Sequence, residues 1–196
     1  MTSLQETAQD FEQQWWGDCT NTFGEEAKQI TYAHRMGLVN SPQDGKWPVY
    51  DLGGKSVVDL GGGPTSLLLK CVNRGDCVVV DPCPYPLWVR QRYTESGIGV
   101  AEMEAEAFRD SAFRDEAWCY NVLQHVVLPE DVIATARSQA QVLRIFEWLE
   151  TPAADGHPHT LHADELNDWI GGVGTVEMVN ENGAVGLAYH GCFNLG

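Results

Sequence analysis

Short apolar runs rich in β-branched residues alternate with amphipathic stretches along the chain from residue 55 onward. The runs predict strands over 56–60, 77–81, 98–102, 116–121, 142–148, 174–180 and 184–190. The stretches between them predict helices over 64–73, 86–95, 130–140 and 163–170. Such alternation is typical of a parallel sheet with helices on both faces. The pattern therefore predicts an α/β fold on a doubly wound, seven-stranded and mostly parallel sheet.

The two ends of the chain depart from that alternation. Residues 3–16 and 24–37 predict two helices ahead of the first strand, and residues 40–54 form a turn-rich connection. Near the other end, Glu181-Asn182-Gly183 separates two alternating runs, and Asn-Gly is a strong hairpin signal. We therefore expect a C-terminal antiparallel hairpin, and a length of 196 residues suits one domain over 1–196.

A glycine-rich turn follows the first predicted strand, in the sequence KSVVDLGGGPTS over 55–66. Glycine allows a tight turn and a close approach to a ligand, and Pro64 suits the first turn of a helix, whose N-terminus offers free N–H groups. Asp81 ends the next strand twenty residues after Gly61. That spacing places a carboxylate on ribose hydroxyls, so the pair predicts a nucleoside cofactor.

Ser66 and Asp59 argue against a dinucleotide as that cofactor. The dinucleotide fingerprint is G-x-G-x-x-G, and Ser66 occupies its last glycine. Asp59 precedes the glycines, where a carboxylate suits an ammonium group better than a pyrophosphate. At this motif the chain resembles the class I, Rossmann-like S-adenosylmethionine (SAM) dependent methyltransferases, over about residues 55–192. The N-terminal stretch that begins WWGDC is similar to small stand-alone methyltransferases of bacteria and their phages.

The resemblance implies a set of cofactor contacts. Asp59 and the glycines would bind the methionine end of SAM, and Asp81 would bind the ribose. An acidic residue after the third strand would bind the adenine amino group; Glu104 aligns best, and Glu106 is the alternative. The implied cofactor-binding residues are Asp59, Gly61, Gly62, Gly63, Asp81, Pro82, Glu104 and Asn121.

Two residues near strand ends are candidates for the chemistry. His125 follows the fourth strand, where parallel α/β sheets place their ligands, and its imidazole could take a proton from a hydroxyl or amine. The alternative is a histidine that caps the following loop or helix. Glu147 stands in an apolar run, where an unpaired carboxylate is costly. Two hypotheses for Glu147 are open: its carboxylate orients the substrate, or it pairs with Arg144 or Lys28.

His157, His159 and His162 fall within six residues, on a loop that overhangs the same edge of the sheet. Three interpretations are open: the histidines line the acceptor pocket, they bind a metal ion, or they belong to a loop without a functional role. No cysteine or carboxylate stands at ligand spacing beside them, so we expect no metal. We also expect the helices of residues 1–40 to cover the pocket, with at least one of Trp15 and Trp16 facing the pocket or a partner. The candidate catalytic residues are His125, Glu147, His157 and His159.

The charge of the chain limits its partners. Twelve basic residues stand against 28 acidic ones, which gives a net charge of −16, and no basic cluster offsets it. Such a field repels phosphate backbones and anionic bilayers. We therefore expect a small-molecule acceptor and neither a nucleic-acid nor a membrane partner. The polar N-terminus and the scattered cysteines favour a cytoplasmic location.

The expected activity is methyl transfer from SAM to an oxygen or nitrogen of a small molecule, by direct in-line displacement. One alternative is a binding protein with the same fold and no catalytic activity. The other is an NAD-dependent oxidoreductase, which Ser66, Asp59 and the terminal hairpin disfavour.

Overall fold

A computed structural model describes residues 4–40 and 47–196. Its α-helices are α1 (Leu4–Trp16), α2 (Phe23–Arg35), α3 (Leu87–Glu95), α4 (Pro129–Gln139) and α5 (Ala163–Ile170). The strands of its main sheet are β1 (Val57–Leu60), β2 (Cys77–Val80), β3 (Gly99–Ala101), β4 (Arg114–Tyr120), β5 (Ala140–Trp148), β6 (Thr175–Glu181) and β7 (Ala184–Asn194). None of the helices described is both long enough and apolar enough to cross a membrane.

The main sheet has the strand order β3-β2-β1-β4-β5-β7-β6. The first five strands are parallel, whereas β7 is antiparallel to both β5 and β6. The predicted seven-stranded sheet with a C-terminal hairpin is confirmed. The order reverses its direction between β1 and β4, and ligands of such sheets bind in the crevice beyond the carboxyl ends of the strands at that reversal.

Helices cover both faces of the sheet because successive strand residues point to opposite sides. Val57 and Val79 face the core that contains residues of α2 and α3. Their neighbours Val58 and Val80 face the second core, against α4 and α5. All four valines are buried. The predicted doubly wound architecture is thus confirmed by two separate apolar layers.

The helix predicted over 64–73 is wrong. The glycine turn leads into two short 3₁₀ turns, Gly63–Thr65 and Leu67–Lys70, and then into a short strand, Cys71–Val72. Ser66 separates the two turns, because its extended backbone (ψ 145°) interrupts the helical path and its hydroxyl accepts from Leu68 N at 3.0 Å. The expected helix N-terminus beside the glycine turn is therefore replaced by a tighter, irregular turn.

Smaller differences lie at other element ends. Tyr50–Asp51 pairs in parallel with Cys71–Val72, so the connection predicted over 40–54 contains a strand. Strand β7 runs to Asn194 rather than to residue 190, since Asn194 pairs with Val142 of β5. Residues 41–46 and residue 3, the expected start of the first helix, lie outside the described residues.

Replacing Gly61 by alanine tests the tight packing of the glycine turn. Gly61 has φ +76°, and a Cβ there would lie 2.5 Å from Cγ2 of Val122. A left-handed non-glycine residue costs about 1–2 kcal/mol, and overpacking adds roughly 1–3 kcal/mol. We expect Gly61→Ala to lower the free energy of unfolding by the sum of both, measured by urea denaturation.

Gly53→Ala is the matched control. Gly53 has φ +59°, but nothing lies within 4 Å of a Cβ built there, so only the backbone strain applies. Equal losses of stability in the two variants would contradict the close packing of Gly61 against Val122.

Candidate functional site

A cavity of about 480 Å³ lies beyond the carboxyl ends of β1, β2 and β4. This volume falls within the range of small-molecule sites. Its floor consists of the loops after those strands, at Gly61–Gly63, Asp81–Pro82 and Asn121–Val122. Its roof consists of residues from α1 and α2, and one side is closed by the tip of the β6–β7 hairpin. The cavity therefore occupies the crevice at which the strand order reverses.

Asp81 joins two loops of the cavity floor. Its Oδ2 accepts from Gly63 N and its Oδ1 accepts from Cys83 N, both at 3.0 Å. Burial raises the pKa of Asp81 to about 6. Each carboxylate oxygen has a further lone pair, so the side chain that lines the cavity can also accept from ligand hydroxyls.

Asp59 lies beneath the glycine turn and is fully buried, away from the cavity wall. Its Oδ2 accepts from Ser66 Oγ and, at 2.7 Å, from the hydroxyl of Tyr120. A Cβ on Gly62 would come within 2.5 Å of the same oxygen. Burial raises the pKa of Asp59 to about 7. The predicted contact with a ligand ammonium group is corrected: Asp59 holds the turn from below.

Glu147 is likewise fully buried and lies behind the loop after β4. Its carboxylate accepts from Val122 N at 3.0 Å and from Leu123 N at 3.2 Å. Neither expected partner contacts it, because Arg144 pairs with Glu116 and Lys28 with Glu25. Burial raises the pKa of Glu147 to about 7. Its predicted place at the acceptor edge is corrected to a role in fixing the loop.

Glu104 and Glu106 have different surroundings. Glu104 lines the cavity and accepts from Gln9 Nε2 of α1. Glu106 instead accepts from Val127 N at 3.0 Å and so belongs to the loop before α4. Of the two sequence candidates for an adenine contact, Glu104 is the one on the cavity wall.

Asn121 directly follows β4 and has a left-handed conformation, with φ +56°. Its backbone N–H donates to Phe146 O at 2.8 Å, and its side-chain Oδ1 accepts from Gln124 Nε2 at 3.2 Å. Asn121 and Gln124 both line the cavity. Pro82 lines it as well, so the predicted cofactor residues other than Asp59 lie together on its wall.

His125 lines the cavity and has a defined tautomer. Its Nδ1 lies 2.8 Å from Gly156 O and 3.1 Å from Glu12 Oε1 of α1. Both partners can only accept, so Nδ1 carries a hydrogen and Nε2 of the neutral ring keeps its lone pair. Burial lowers the pKa of His125, but Glu12 and the Gly156 carbonyl outweigh burial and hold it above its ordinary value. The imidazole is thus arranged as a proton acceptor.

Glu12 is a residue of the candidate site that sequence analysis missed. Its Oε2 accepts from Trp16 Nε1 at 3.0 Å, while its Oε1 faces His125. Burial raises the pKa of Glu12, but its bonds to His125 and Trp16 bring it below the ordinary value. An acidic residue on a polar helix is an ordinary sequence feature, so no local signal distinguished this one.

The three loop histidines separate in the structure. His157 lines the cavity, and its ring lies edge-on to His125 with 4.4 Å between centroids. His159 does not line it; its Nε2 lies 3.1 Å from Val127 O. His162 is exposed and lies 2.9 Å from Glu150 Oε1. His157 is therefore the one of the three on the cavity wall, and the expected convergence of His159 with it is corrected.

Residues of the two N-terminal helices form the roof of the cavity. Trp15 and Trp16 both line it, although Trp15 is 68% exposed. The other roof residues are Ala8, Gln9, Phe11, Glu12, Glu25, Lys28 and Gln29. Across the part of the chain that is described, no three histidine, cysteine or acidic side chains are grouped as metal ligands would be.

No protein-family model matches the sequence, and no curated protein sequence matches it either. Solved structures are similar at the level of the fold. Magnesium protoporphyrin IX methyltransferase from Synechocystis, with bound SAM, has a TM-score of 0.64 at 14% identity and covers 97% of each chain. A 1,6-didemethyltoxoflavin N1-methyltransferase from Burkholderia thailandensis, with bound S-adenosylhomocysteine (SAH), has a TM-score of 0.57 at 15% identity, covering 92% of this chain and 80% of that one.

A third solved structure carries a different activity. The cyclase SpnF has a TM-score of 0.53 at 15% identity and covers 74% of this chain and 54% of its own. The chain therefore adopts the Rossmann-like fold of the class I SAM-dependent methyltransferases. The fold alone does not determine the reaction, since function resides in the site.

The buried carboxylates predict an unusual dependence of stability on pH. A carboxyl whose pKa is higher in the folded state binds its proton more tightly there, so stability falls as pH rises from the unfolded pKa to the folded one. For Asp59 that window runs from about pH 4 to about pH 7. We expect Asp59→Asn to flatten the fall in free energy of unfolding over this window, measured by denaturation at a series of pH values.

Asp115→Asn provides the control. Asp115 is exposed, and its hydrogen bonds from Ser56 lower its pKa, so it is ionised in both states above about pH 5. Its replacement should lower stability without changing the slope. A slope in Asp59→Asn as steep as that of the unaltered protein would contradict the assignment; a residual slope is expected from Asp81 and Glu147.

Proposed function

We propose that the chain is a SAM-dependent methyltransferase that acts on a small molecule. The observation that carries the proposal is the set of residues on the wall of a single cavity. Gly61–Gly63, Asp81 and Glu104 form one part of its wall, and the His125–Glu12 pair forms another. A nucleoside-binding part and a proton-accepting part thus share a space of the size of a small-molecule site.

The wall fits the parts of SAM. The glycine turn brings its backbone to the cavity, and Gly61 and Gly62 have no room for a side chain on their inner sides. Asp81 offers lone pairs to ribose hydroxyls, and Glu104 offers a carboxylate to the adenine amino group. When bound, SAM supplies a methyl group made reactive by its sulfonium. The residues that would hold it are Gly61–Gly63, Asp81, Glu104 and Asn121.

The His125–Glu12 pair supplies the acid–base part of the reaction. His125 Nε2 accepts the proton of the acceptor's hydroxyl or amine, and Nδ1–H remains bonded to Glu12 and Gly156 O. The Glu12 carboxylate stabilises the imidazolium that forms. The roof orients the acceptor, and orientation alone lowers a barrier by several kcal/mol, roughly.

The two alternatives are less well supported. A nicotinamide dinucleotide needs a helix N-terminus for its pyrophosphate, but two 3₁₀ turns follow the glycine turn here. A binding protein without catalytic activity would have no use for an oriented histidine at the acceptor edge. Parallel titration of the protein with SAM, SAH and NAD separates the three functions.

Removing the carboxylate of Asp81 tests the cofactor assignment. Charged hydrogen bonds contribute about 1.5–3 kcal/mol each, so Asp81→Ala should weaken SAH binding by roughly tenfold or more. Isothermal titration measures the affinity, and circular dichroism verifies the fold. Asp81→Asn keeps the shape and isolates the loss of charge. Unchanged SAH affinity in a folded Asp81→Ala protein would refute the assignment.

Replacing His125 tests the proposed base. Because a base acts in the transition state, His125→Ala should leave SAH affinity nearly unchanged and lower kcat by about 10²–10⁴. Transfer of labelled methyl groups to a panel of amines and phenols measures turnover. Glu12→Gln should lower kcat too, and should move the acidic limb of the pH–rate profile to lower pH, since the pKa of His125 loses its main upward influence. Full activity in His125→Ala would require a different base or none.

A further inference from the structure

The acceptor end of the cavity lies between α1, α2 and the hairpin tip, and its charged side chains are mostly acidic. Lys28 is the one lysine or arginine among the described residues that line the cavity. Its Nζ lies 3.1 Å from Glu25 Oε2, so its charge is already paired. Glu12 lies against the imidazole of His125 and the indole N–H of Trp16. Among the described residues that line the cavity, no unpaired lysine or arginine is therefore present to bind an anionic acceptor.

The cavity as a whole carries the same sign of charge. Four acidic side chains line it, Glu12, Glu25, Asp81 and Glu104, against the single Lys28. Bound SAM, with one net positive charge, neutralises only part of this excess. A concave site of one sign concentrates the field and raises the local concentration of the opposite ion. An anion buried here without a partner would pay a large desolvation cost.

Aromatic rings complete the acceptor end. Trp15 and Trp16 line it from α1, and Trp148 lines it from the end of β5. The electron-rich faces of tryptophan attract cations more strongly than those of other aromatic residues. Indole rings combined with carboxylates are the chemistry that recognises an ammonium group on a small, partly apolar body.

We propose that the methyl acceptor is an amine that enters as its ammonium ion, an inference that rests on the proposed methyltransferase function. A proton leaves the ammonium nitrogen for His125 Nε2, which frees the nitrogen lone pair. That lone pair forms the new bond to the methyl carbon as the carbon–sulfur bond breaks. The electron pair of the broken bond stays on sulfur. The products are the N-methylated amine and SAH, and the proton passes from His125 to solvent.

The test uses SAH-saturated protein and three probes on one scaffold: phenethylamine, 2-phenylethanol and 3-phenylpropionate. Titration calorimetry or saturation-transfer NMR measures their affinities. We expect the ammonium probe to bind at least about tenfold more tightly than the carboxylate, and more tightly than the alcohol. An alcohol or carboxylate that binds as tightly, or an ammonium probe that does not bind at millimolar concentration, overturns the proposal. If the unaltered protein did not bind SAH at all, the proposed methyltransferase function would be refuted instead. Failure of the amine proposal and failure of the methyltransferase proposal are therefore distinguishable.

Glu25→Gln sharpens the test because it leaves Lys28 without its carboxylate partner. We expect the variant to bind the ammonium probe more weakly and the carboxylate probe more tightly. Glu95→Gln is the matched control, since Glu95 is exposed at the end of α3, outside the cavity, and its loss changes the net charge equally. Titration with SAH verifies that both variants are folded. Equal affinities of the two variants for each probe overturn the proposal.

Discussion

Two buried carboxylates hold the loops on which the cavity depends. The chain turns sharply after β1 and again after β4, and each turn leaves polar groups that must find partners away from water. Asp59 meets this need beneath the glycine turn through Ser66 and Tyr120, and Glu147 meets it through the N–H groups of Val122 and Leu123. Neither acid lines the cavity, but both determine its shape.

The two loops are also in contact with each other. Gly61 lies so close to Val122 that a single added carbon would overlap its side chain. A shift of either loop would therefore displace the other, since packed interiors transmit small displacements. Tyr93 adds a third restraint, because its hydroxyl donates to Gly63 O at 2.7 Å and accepts from Ser66 N at 2.8 Å. The ligand-facing backbone is thus fixed from below, before any ligand binds.

Sequence patterns predicted the elements that depend on the local order of apolar and turn residues. They failed where contacts that form only in the folded chain determine the structure. Strand periodicity, the Asn182-Gly183 turn and the spacing of Asp81 were enough for the sheet, the hairpin and one wall of the cavity. The helix over 64–73 failed because Ser66 has an extended backbone, while its hydroxyl accepts from Leu68 N and donates to Asp59 beneath the turn. Glu147 was recognised as anomalous in an apolar run, but its partners are backbone groups that carry no sequence signature.

Helix α1 connects the two halves of the cavity. Gln9 bonds to Glu104, on the proposed nucleoside side, and Glu12 bonds to His125, on the proposed acceptor side, so two positions three residues apart on one helical face contact both. A ligand amino group that bonds to Glu104 would share that carboxylate with Gln9. The same helix carries Glu12, the carboxylate that raises the pKa of His125. One helix thus contacts both halves of the cavity, and any effect of ligand binding at Glu104 on the pKa of His125 would be matched by an equal effect of the protonation of His125 on ligand binding.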